Sequence, residues 1–196
     1  MKKAFKGIIF LDRDGTINEE KDVIRVLSDL KIYPYAAPAI KLLNLAGYAI
    51  VIATNQPAVA KGFCTEDDVK NVNKALVEKL ASQGARIDAV FYCPHHPQKG
   101  FKGENPSYKI DCNCRKPKIG MFEAARKLFK IGFPQCFMVG DQTRDIAAGK
   151  NIGCKTILVK TGFGGTDNKF DVLPDFVFDN LLQASEFIAK VTKGEK

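Results

Sequence analysis

The chain has 196 residues, of which 45% are hydrophobic and 27% charged, enough for one domain with a substantial core. No apolar run approaches the roughly 20 residues of a membrane-spanning helix, so we expect no membrane association. Lysine and arginine (30) exceed aspartate and glutamate (22), and the net charge of +8 can steer anionic substrates. Nucleic acid is a poorer candidate partner, because the lysines are scattered and no basic strip is interleaved with aromatic residues.

Strand-like and helix-like segments alternate along the chain. The strand patterns lie at 7–12, 48–54, 87–92, 136–140, 154–159 and 176–178. The helical patterns lie at 36–46, 65–83, 118–130, 143–151 and 179–191. Pro117 is expected to open the third helix, since proline suits the first helical position. The alternation predicts an α/β fold with a doubly wound parallel sheet, as a single domain over 1–196.

The first predicted strand ends in two carboxylates separated by one residue. Five mostly apolar residues precede Asp12 and Asp14, and Gly15 and Thr16 follow at once. Ligands bind at the carboxyl ends of strands in open α/β sheets, and an extended backbone sends both carboxylates the same way. Because two close carboxylates repel unless a cation lies between them, we expect a cation site, with Arg13 pointing away. Solvated acids in an ordinary strand-end turn are the alternative.

Three later segments bring further polar groups to the ends of predicted elements. The second strand ends in a hydroxyl and two amides, and two adjacent cations precede the third helix. The fourth strand ends in an aspartate, and a second aspartate follows four residues later. These residues are Thr54, Asn55, Gln56, Arg115, Lys116, Asp141 and Asp145. Phosphate transfer needs a nucleophile, hydrogen-bond donors, a cation and a metal ligand. Because these residues provide all four in order along the chain, they indicate a phosphate-transfer site. Lys116 as a surface lysine and Asp145 as an early-helix carboxylate favoured by the dipole are the alternatives.

The ordered motifs resemble those of the haloacid dehalogenase-like phosphatases. The signature Asp-x-Asp-Gly-Thr matches Asp12 to Thr16, and the later signatures match Thr54, Lys116 and Gly140-Asp141. The resemblance extends over about 7–162 and implies a Rossmann-like parallel sheet. Apart from the segment between the third strand and the third helix, no insertion is long enough for a cap domain, so we expect an open cleft.

The resemblance implies a covalent mechanism. Asp12 would attack phosphorus to give an aspartyl-phosphate, and Asp14 would protonate the leaving oxygen and then deprotonate the hydrolytic water. Thr54 would hold a phosphoryl oxygen, while Lys116 would offset the charge of the nucleophile and the phosphate. Because a carboxylate and a phosphate dianion repel, we expect Mg²⁺, held by the carboxylates of Asp12 and Asp141 and by the backbone carbonyl of Asp14.

A second set of candidate ligands comprises Cys93, His95, Cys112 and Cys114. Their Cys-x-His and Cys-x-Cys spacings can surround one tetrahedral Zn²⁺. The intervening segment 96–111 is rich in proline, glycine and lysine and buries little apolar surface, so the zinc would be structural and hold the loop that precedes the two cations. His96 is the alternative ligand. Free thiols or disulfides are the alternative states, although no signal peptide is evident and we expect a cytoplasmic location.

This cysteine-rich segment sharpens the resemblance. Cys93-Pro-His-His-Pro97 and Cys112-Asn-Cys-Arg-Lys-Pro117 resemble the D-glycero-D-manno-heptose 1,7-bisphosphate phosphatases, and the histidinol-phosphate phosphatases share much of this pattern. Val159-Lys-Thr-Gly162 is also similar to that subgroup. The segment 18–29 and Lys61 depart from the usual pattern beside the expected cleft.

The implied substrate has one phosphate to be cleaved, at C7, and one to be held, and its hydrolysis would feed nucleotide-heptose synthesis. Arg115 presents a planar fork suited to the second phosphate, whereas Lys116 serves the transferred one. Asn55 and Gln56 are candidates for the sugar hydroxyls, and Lys160 is a weaker candidate for the distal phosphate. We expect a monomer. The alternatives are a histidinol-phosphate phosphatase, a polynucleotide 3′-phosphatase and a non-enzymatic binding module stabilised by zinc.

Overall fold

A computed structural model describes residues 5–194, and within them six strands form one parallel sheet. The strands are β1 (Ile8–Leu11), β2 (Ala49–Asn55), β3 (Ala89–Cys93), β4 (Phe137–Gly140), β5 (Lys155–Val159) and β6 (Phe176–Phe178). They lie in the order β3-β2-β1-β4-β5-β6, and every neighbouring pair is parallel. The predicted doubly wound parallel sheet is therefore confirmed.

Five helices connect or flank the strands of the described chain: α1 (Ala36–Ala46), α2 (Glu66–Ser82), α3 (Gly120–Phe129), α4 (Thr143–Asn151) and α5 (Leu181–Lys193). Asn180 caps α5 by accepting bonds from two backbone N–H groups, which is why that helix begins two residues later than predicted. The prediction that Pro117 opens α3 is wrong. The N–H of Lys118 bonds the carbonyl of Arg115 in a turn, so the helix begins only at Gly120.

Both faces of the sheet are covered by helices, which explains why the strands are apolar throughout. Successive side chains of a strand alternate between faces, so Ile9 and Leu11 pack with α1, α2 and α5. Phe10 points to the opposite face and packs with α3, where its ring centroid lies 4.8 Å from that of Phe122. Full burial of such a side chain contributes about 1.5–3 kcal/mol to folding.

The topology places a crevice at the carboxyl ends of β1 and β4. From β1 the chain moves outwards through β2 and β3 and then returns to β4 on the other side of β1. Parallel sheets bind ligands at such a reversal of strand order. The long connections 12–35 and 94–119 border this edge, contain only short 3₁₀ turns and isolated β-bridges, and leave no large cap domain among the described residues, as expected. No described helix is long and apolar enough to cross a membrane.

Candidate active site and metal-binding loop

Three aspartates and one lysine meet in the crevice. The carboxylates of Asp12, Asp141 and Asp145 offer oxygens that all lie within 4.8 Å of one another, and all three residues are buried. Lys116 Nζ lies 2.9 Å from Asp12 Oδ1 and 2.7 Å from Asp145 Oδ1. Asp145 Oδ2 also accepts the backbone N–H of Gln142 at 3.1 Å and so caps α4. Asp145 therefore both holds the lysine and caps the helix, and Lys116 is not a surface lysine.

The acidic cluster carries more negative charge than the lysine neutralises. Burial, with Asp12 and Asp145 nearby, raises the pKa of Asp141 to about 9. Burial and Asp12 raise the pKa of Asp145 to about 6. Burial lowers the pKa of Lys116, but the two flanking carboxylates outweigh it and the net shift is upward. Asp141 Oδ1 is buried without a hydrogen-bond partner within residues 5–194. These carboxylates fit a hard divalent cation, which prefers oxygen ligands.

Two glycines let the backbone approach Asp141. A Cβ on Gly15 or on Gly162 would lie 2.2 Å from Asp141 Oδ2, and both residues have positive φ, +76° and +59°. Thr161 Oγ1 donates to the Gly15 carbonyl at 2.6 Å, and the Phe163 N–H donates to Asp141 Oδ2 at 2.8 Å. The loops after β1 and β5 thus close together on this carboxylate. Gly162 belongs to the motif Val159-Lys-Thr-Gly162, to which the resemblance gave no role. A glycine shortly after a predicted strand was the sequence feature that could have indicated this close approach.

The prediction that Arg13 points away from the acids is wrong. Its side chain is buried and donates from two nitrogens, each 3.0 Å from an oxygen of Asp14. A third nitrogen donates to Asn73 Oδ1 at 2.9 Å. A buried guanidinium needs acceptors, and these two side chains provide them. Asn73 was not predicted, although a lone polar residue among the buried positions of α2 was its signal.

Asp14 accepts hydrogen bonds from three side chains. Besides Arg13, Asn18 Nδ2 donates at 2.9 Å and Gln56 Nε2 at 2.8 Å. Burial alone would raise the pKa of Asp14, but the charge of Arg13 and these hydrogen bonds together lower it. The geometry therefore favours the carboxylate form of Asp14. Its backbone carbonyl stays a predicted metal ligand.

The polar residues at the end of β2 make two kinds of contact: Thr54 and Gln56 bond each other, whereas Asn55 bonds the backbone of Lys116. Thr54 is buried, and its Oγ1 accepts from Gln56 Nε2 at 3.0 Å. Asn55 was assigned to the substrate, but its Nδ2 donates to the Lys116 carbonyl at 3.1 Å and its Oδ1 accepts the Lys116 N–H at 3.0 Å. Because both ends of the amide bind this backbone, Asn55 is better described as a residue that positions Lys116.

A cavity of about 80 Å³ adjoins these groups. Asp12, Asp14 and Thr54 line it from the sheet, and Glu20 lines it from the loop after β1. Glu20 is exposed on the protein surface, and partial desolvation together with repulsion from Asp14 and Asp12 raises its pKa above the usual value. Sequence reasoning missed Glu20, because a charged residue in an irregular loop carries no local signal of where it points. We refer to this space as the reaction cavity.

The four predicted zinc ligands converge at the end of β3. Cys114 Sγ lies 3.1 Å from Cys93 Sγ, 3.3 Å from Cys112 Sγ and 3.4 Å from His95 Nδ1. A tetrahedral zinc with bonds of about 2.3 Å separates its sulfur ligands by roughly 3.8 Å, so the four atoms already approach that arrangement. His95 rather than His96 belongs to the cluster. The set fits one zinc ion.

A second cavity, of about 350 Å³, lies beside the reaction cavity. His96, Arg115, Arg144 and Lys169 line it, and Arg144 also lines the reaction cavity. Arg115 Nη1 donates to the His95 carbonyl at 3.2 Å, which holds its guanidinium against the metal-binding loop. Arg144 and Lys169 were not predicted as site residues.

Lys160, the weaker candidate for the distal phosphate, lines neither of the two cavities. Its ammonium lies 2.8 Å from Asp179 Oδ1, in an exposed ion pair. The structure therefore does not bring Lys160 to the site.

Comparison with known proteins agrees with the geometry. The HAD-hydrolase-like family model matches residues 113–184. The D-glycero-beta-D-manno-heptose-1,7-bisphosphate 7-phosphatase of Haemophilus influenzae is 37% identical over 188 residues, covering 94% of this chain and 98% of the relative. The enzyme of the same name from Pasteurella multocida is 40% identical over 163 residues, covering 83% of this chain and 84% of the relative.

Solved structures with a similar fold are also phosphatases of this kind. The D,D-heptose 1,7-bisphosphate phosphatase from B. bronchiseptica, complexed with magnesium and phosphate, has a TM-score of 0.81 at 30% identity and covers 94% of this chain and 98% of its own. A HAD-like phosphatase from Mesorhizobium loti has a TM-score of 0.80 at 28% identity and covers 96% of this chain and 88% of its own. With this fold, this acidic cluster and these relatives, the chain belongs to the haloacid dehalogenase-like phosphatases, in the D-glycero-beta-D-manno-heptose-1,7-bisphosphate 7-phosphatase group.

Proposed function

We propose that the chain is a phosphomonoester hydrolase that removes the C7 phosphate of D-glycero-beta-D-manno-heptose 1,7-bisphosphate. One observation carries this proposal: Lys116 lies between Asp12 and Asp145 at the reversal of strand order, near an oxygen of Asp141 that has no hydrogen-bond partner in residues 5–194. An acid held by a buried ammonium and facing a cation site is suited to phosphoryl transfer, where charge must be neutralised on the attacking and leaving groups. The names of the relatives supply the substrate.

The residues of the reaction cavity would divide the chemistry among them. Asp12 would attack phosphorus and carry the phosphoryl group as an aspartyl-phosphate. Thr54 would hold a phosphoryl oxygen, and Lys116 would keep Asp12 oriented through the contact of 2.9 Å while offsetting charge on the phosphate. Mg²⁺, held by Asp12 and Asp141 and the Asp14 carbonyl, would supply charge neutralisation between the carboxylate and the phosphate.

Asp14 would move the protons. Its hydrogen bonds from Arg13, Asn18 and Gln56 favour the carboxylate, the form that accepts a proton from the water that hydrolyses the intermediate. In the first step the same group would donate a proton to the leaving oxygen, and the proton taken from the water would restore it for the next cycle.

The metal-binding loop would act structurally. Four protein ligands leave no coordination position open, so a bound zinc would stabilise the loop and take no part in the reaction. Cys114 immediately precedes Arg115 and Lys116, and Asn55 bonds the Lys116 backbone. A fixed loop would therefore hold both cations in place. A monomer in the cytoplasm, with no nucleic-acid partner, is part of the same proposal.

Phosphate release by the purified protein with Mg²⁺ tests the substrate. The panel is both heptose 1,7-bisphosphate anomers, histidinol phosphate and a 3′-phosphorylated oligonucleotide. We expect kcat/KM for the beta anomer to exceed that for the other compounds at least 100-fold, roughly 2.7 kcal/mol of transition-state discrimination. A preference for histidinol phosphate or the oligonucleotide would reassign the substrate, and no turnover by folded protein would refute the proposal.

Substitution of the nucleophile tests the mechanism. Asp12→Asn should abolish phosphate release, because the amide does not attack phosphorus, while circular dichroism and zinc content stay those of the parent. The matched control is Asp171→Asn, which removes an exposed carboxylate of the loop after β5 and should leave turnover unchanged. Turnover by the Asp12 variant within tenfold of the parent would contradict the assigned role.

A further inference from the structure

Asn73 is a polar residue in the buried stripe of α2. The buried residues of that helix recur at helical spacing and are otherwise apolar: Val69, Val72, Asn73, Leu76 and Leu80. Asn73 is 5% exposed, and its Nδ2 has no hydrogen-bond partner within residues 5–194. A buried amide group without a partner costs free energy, and a leucine at this position would avoid that cost. Packing alone therefore does not explain the asparagine.

The oxygen of the Asn73 amide holds Arg13. Asn73 Oδ1 accepts a hydrogen bond from Arg13 Nη1 at 2.9 Å, and the other two guanidinium nitrogens each lie 3.0 Å from a different oxygen of Asp14. Because all three nitrogens of Arg13 have an acceptor, the planar group cannot rotate without breaking at least one of these bonds. The Arg13 side chain is 1% exposed, so it offers almost no surface to a substrate. Arg13 is therefore a buried link between Asn73 and Asp14.

Asp14 is the member of this chain of contacts that reaches the reaction cavity. Its side chain is 16% exposed and lines that cavity, whereas Asn73 lines neither of the two cavities. Because Arg13 bonds both oxygens of Asp14, the guanidinium plane sets the plane of the carboxylate. Asn18 and Gln56 each add one hydrogen bond to it. Asn73 therefore acts on a bound substrate through Arg13 and Asp14, without touching it.

The orientation of Asp14 matters in the first step of the proposed reaction. An oxygen of Asp12 forms a bond to phosphorus, the bond between phosphorus and the leaving oxygen breaks, and the proton held by Asp14 passes to that oxygen, which departs as an alcohol. Such a transfer needs donor and acceptor about 2.6–3.2 Å apart. A carboxyl group that is turned out of line therefore loses its contribution to the rate.

The nucleophile is held independently of the Arg13 side chain. The Arg13 backbone N–H donates to Asp12 Oδ1 at 2.7 Å, and the Arg13 carbonyl accepts the Ile17 N–H at 2.8 Å. These backbone contacts do not involve the guanidinium. Release of the Arg13 side chain should therefore disturb Asp14 and leave Asp12 in place.

We propose that Asn73 is a positioning residue for the reaction: by fixing the Arg13 guanidinium, it holds Asp14 in the orientation that protonates the leaving oxygen. This inference rests on the proposed hydrolase function and deepens it, since it connects the acid step to a contact between α2 and the loop after β1. Asn73 carries no charge, and neither does a leucine in its place. The expected effect of that exchange is therefore one of orientation.

The test compares two leaving groups. A sugar alkoxide is a strong base and needs the proton of Asp14, whereas p-nitrophenolate is a stable anion that departs without one. For the parent and Asn73→Leu, kcat/KM is measured with heptose 1,7-bisphosphate and with p-nitrophenyl phosphate, because kcat/KM excludes the later hydrolysis of the intermediate. We expect the value for the sugar phosphate to fall at least about tenfold more than that for the aryl phosphate, part of the roughly 100- to 10,000-fold that a positioned general acid contributes.

Three further variants control for packing and folding. Asn73→Asp retains an oxygen acceptor for Arg13 and should keep the ratio of the two kcat/KM values within about threefold of the parent. Val72→Ala removes buried apolar atoms beside Asn73 but no hydrogen bond, so it should lose stability in urea and keep the parent ratio. Asn73→Ala removes the same acceptor with a smaller side chain, and it replaces Asn73→Leu if circular dichroism shows that the leucine variant is unfolded.

The outcomes separate a positioning role from a structural one. A ratio within about threefold of the parent in the folded leucine or alanine variant would overturn the inference, whether both kcat/KM values fall together or neither falls. An Asn73→Asp variant that loses as much as Asn73→Leu would also overturn it, because the acceptor would then not matter. A folded parent that releases phosphate from neither ester would instead refute the proposed function itself.

Discussion

Lys116 organises the reaction site because its ammonium is shared between two acids. It lies 2.9 Å from Asp12 and 2.7 Å from Asp145, whereas no cationic side chain of residues 5–194 forms an ion pair with Asp141. Removing one partner of a buried ion pair typically costs about 3–5 kcal/mol, since the other charge remains buried. The residues of this cluster therefore act as a unit. A small change that moves any one carboxylate is expected to affect activity.

Gly162 offers a residue-level test of this dependence. In Gly162→Ala the new Cβ would lie 2.2 Å from Asp141 Oδ2, so the carboxylate or the loop must move. We expect kcat/KM to fall at least 100-fold. Phosphate release with saturating and limiting Mg²⁺ would measure the loss and show whether metal affinity falls with it.

Gly153 supplies the matched control. It has a similar positive φ, +71°, but an added Cβ would meet nothing within 4 Å. Left-handed backbone costs a non-glycine residue roughly 1–2 kcal/mol, so both variants should lose stability of that order in urea denaturation. Only Gly162→Ala should lose activity. Equal turnover in the two variants would show that the approach to Asp141 does not matter.

At the scale of elements, the connection 94–119 is attached to the domain at several points. Glu66, the first residue of α2, accepts hydrogen bonds from the hydroxyls of Tyr92 and Tyr108, each at 2.7 Å. The Phe101 ring contacts two ammonium groups, those of Lys61 and Lys109, each 4.7 Å from its centroid. These contacts fix the outer part of the loop. The inner part has little apolar surface, so we expect it to depend on the cysteine cluster.

Substitution of one cluster residue tests that dependence. Cys112→Ser removes a proposed zinc ligand, so we expect zinc content to fall below one ion per chain and hydrogen exchange to rise over 93–117. Mass spectrometry of the metal and of exchanged amides measures both. Cys64→Ser, which alters a half-buried cysteine outside the cluster, should retain zinc and protection. Stoichiometric zinc in the Cys112 variant would refute the ligand assignment.

The elements that sequence predicted well are those with local signals. All six strand patterns correspond to observed strands, because a parallel sheet covered on both faces requires continuous apolar runs such as Ile8–Leu11. The helix starts were less accurate where a turn or a cap decides them, as at Gly120 and Leu181. Strand ends also predicted where the acids and amides would meet, since all carboxyl ends of a parallel sheet lie at one edge.

The parts of the site that sequence missed depend on long-range partners. The pair of Arg13 with Asn73 joins residues 60 positions apart, and the pair of Asn55 with Lys116 joins residues 61 apart. Neither pairing leaves a periodic or spacing signal. Arg144 and Lys169 likewise become neighbours of one cavity only through the fold. Local patterns thus indicated the chemistry, and the three-dimensional structure was needed to show which polar groups hold one another.

At the scale of the whole molecule, we expect the buried acids of the site to destabilise the fold and a bound cation to relieve their repulsion. The reversal of strand order brings Asp12 and Asp141 together, from β1 and β4, in a buried crevice. Folding without metal must bury these charges next to one another, which opposes folding. A ligand that binds only the native state stabilises it, by about 2.7 kcal/mol at 100 times its Kd. We therefore expect folding stability and metal binding to be linked.

Asp141→Asn measures this linkage. Burial and the neighbouring acids raise the pKa of Asp141 from 3.8 to about 9, so above pH 3.8 the folded state retains a proton that the unfolded state has lost. In buffer without Mg²⁺, with the zinc of the metal-binding loop retained, the free energy of unfolding of the parent should therefore fall as pH rises from 6 to 9, by at most about 1.4 kcal/mol per pH unit from this group. The variant lacks the charge, so we expect it to be more stable than the parent without Mg²⁺, by a margin that grows towards pH 9. Added Mg²⁺ should restore the parent and leave the variant unchanged, as urea denaturation at pH 6, 7, 8 and 9 would show. Parallel pH dependence of the two proteins would mean that repulsion at Asp141 does not limit the stability of the metal-free state.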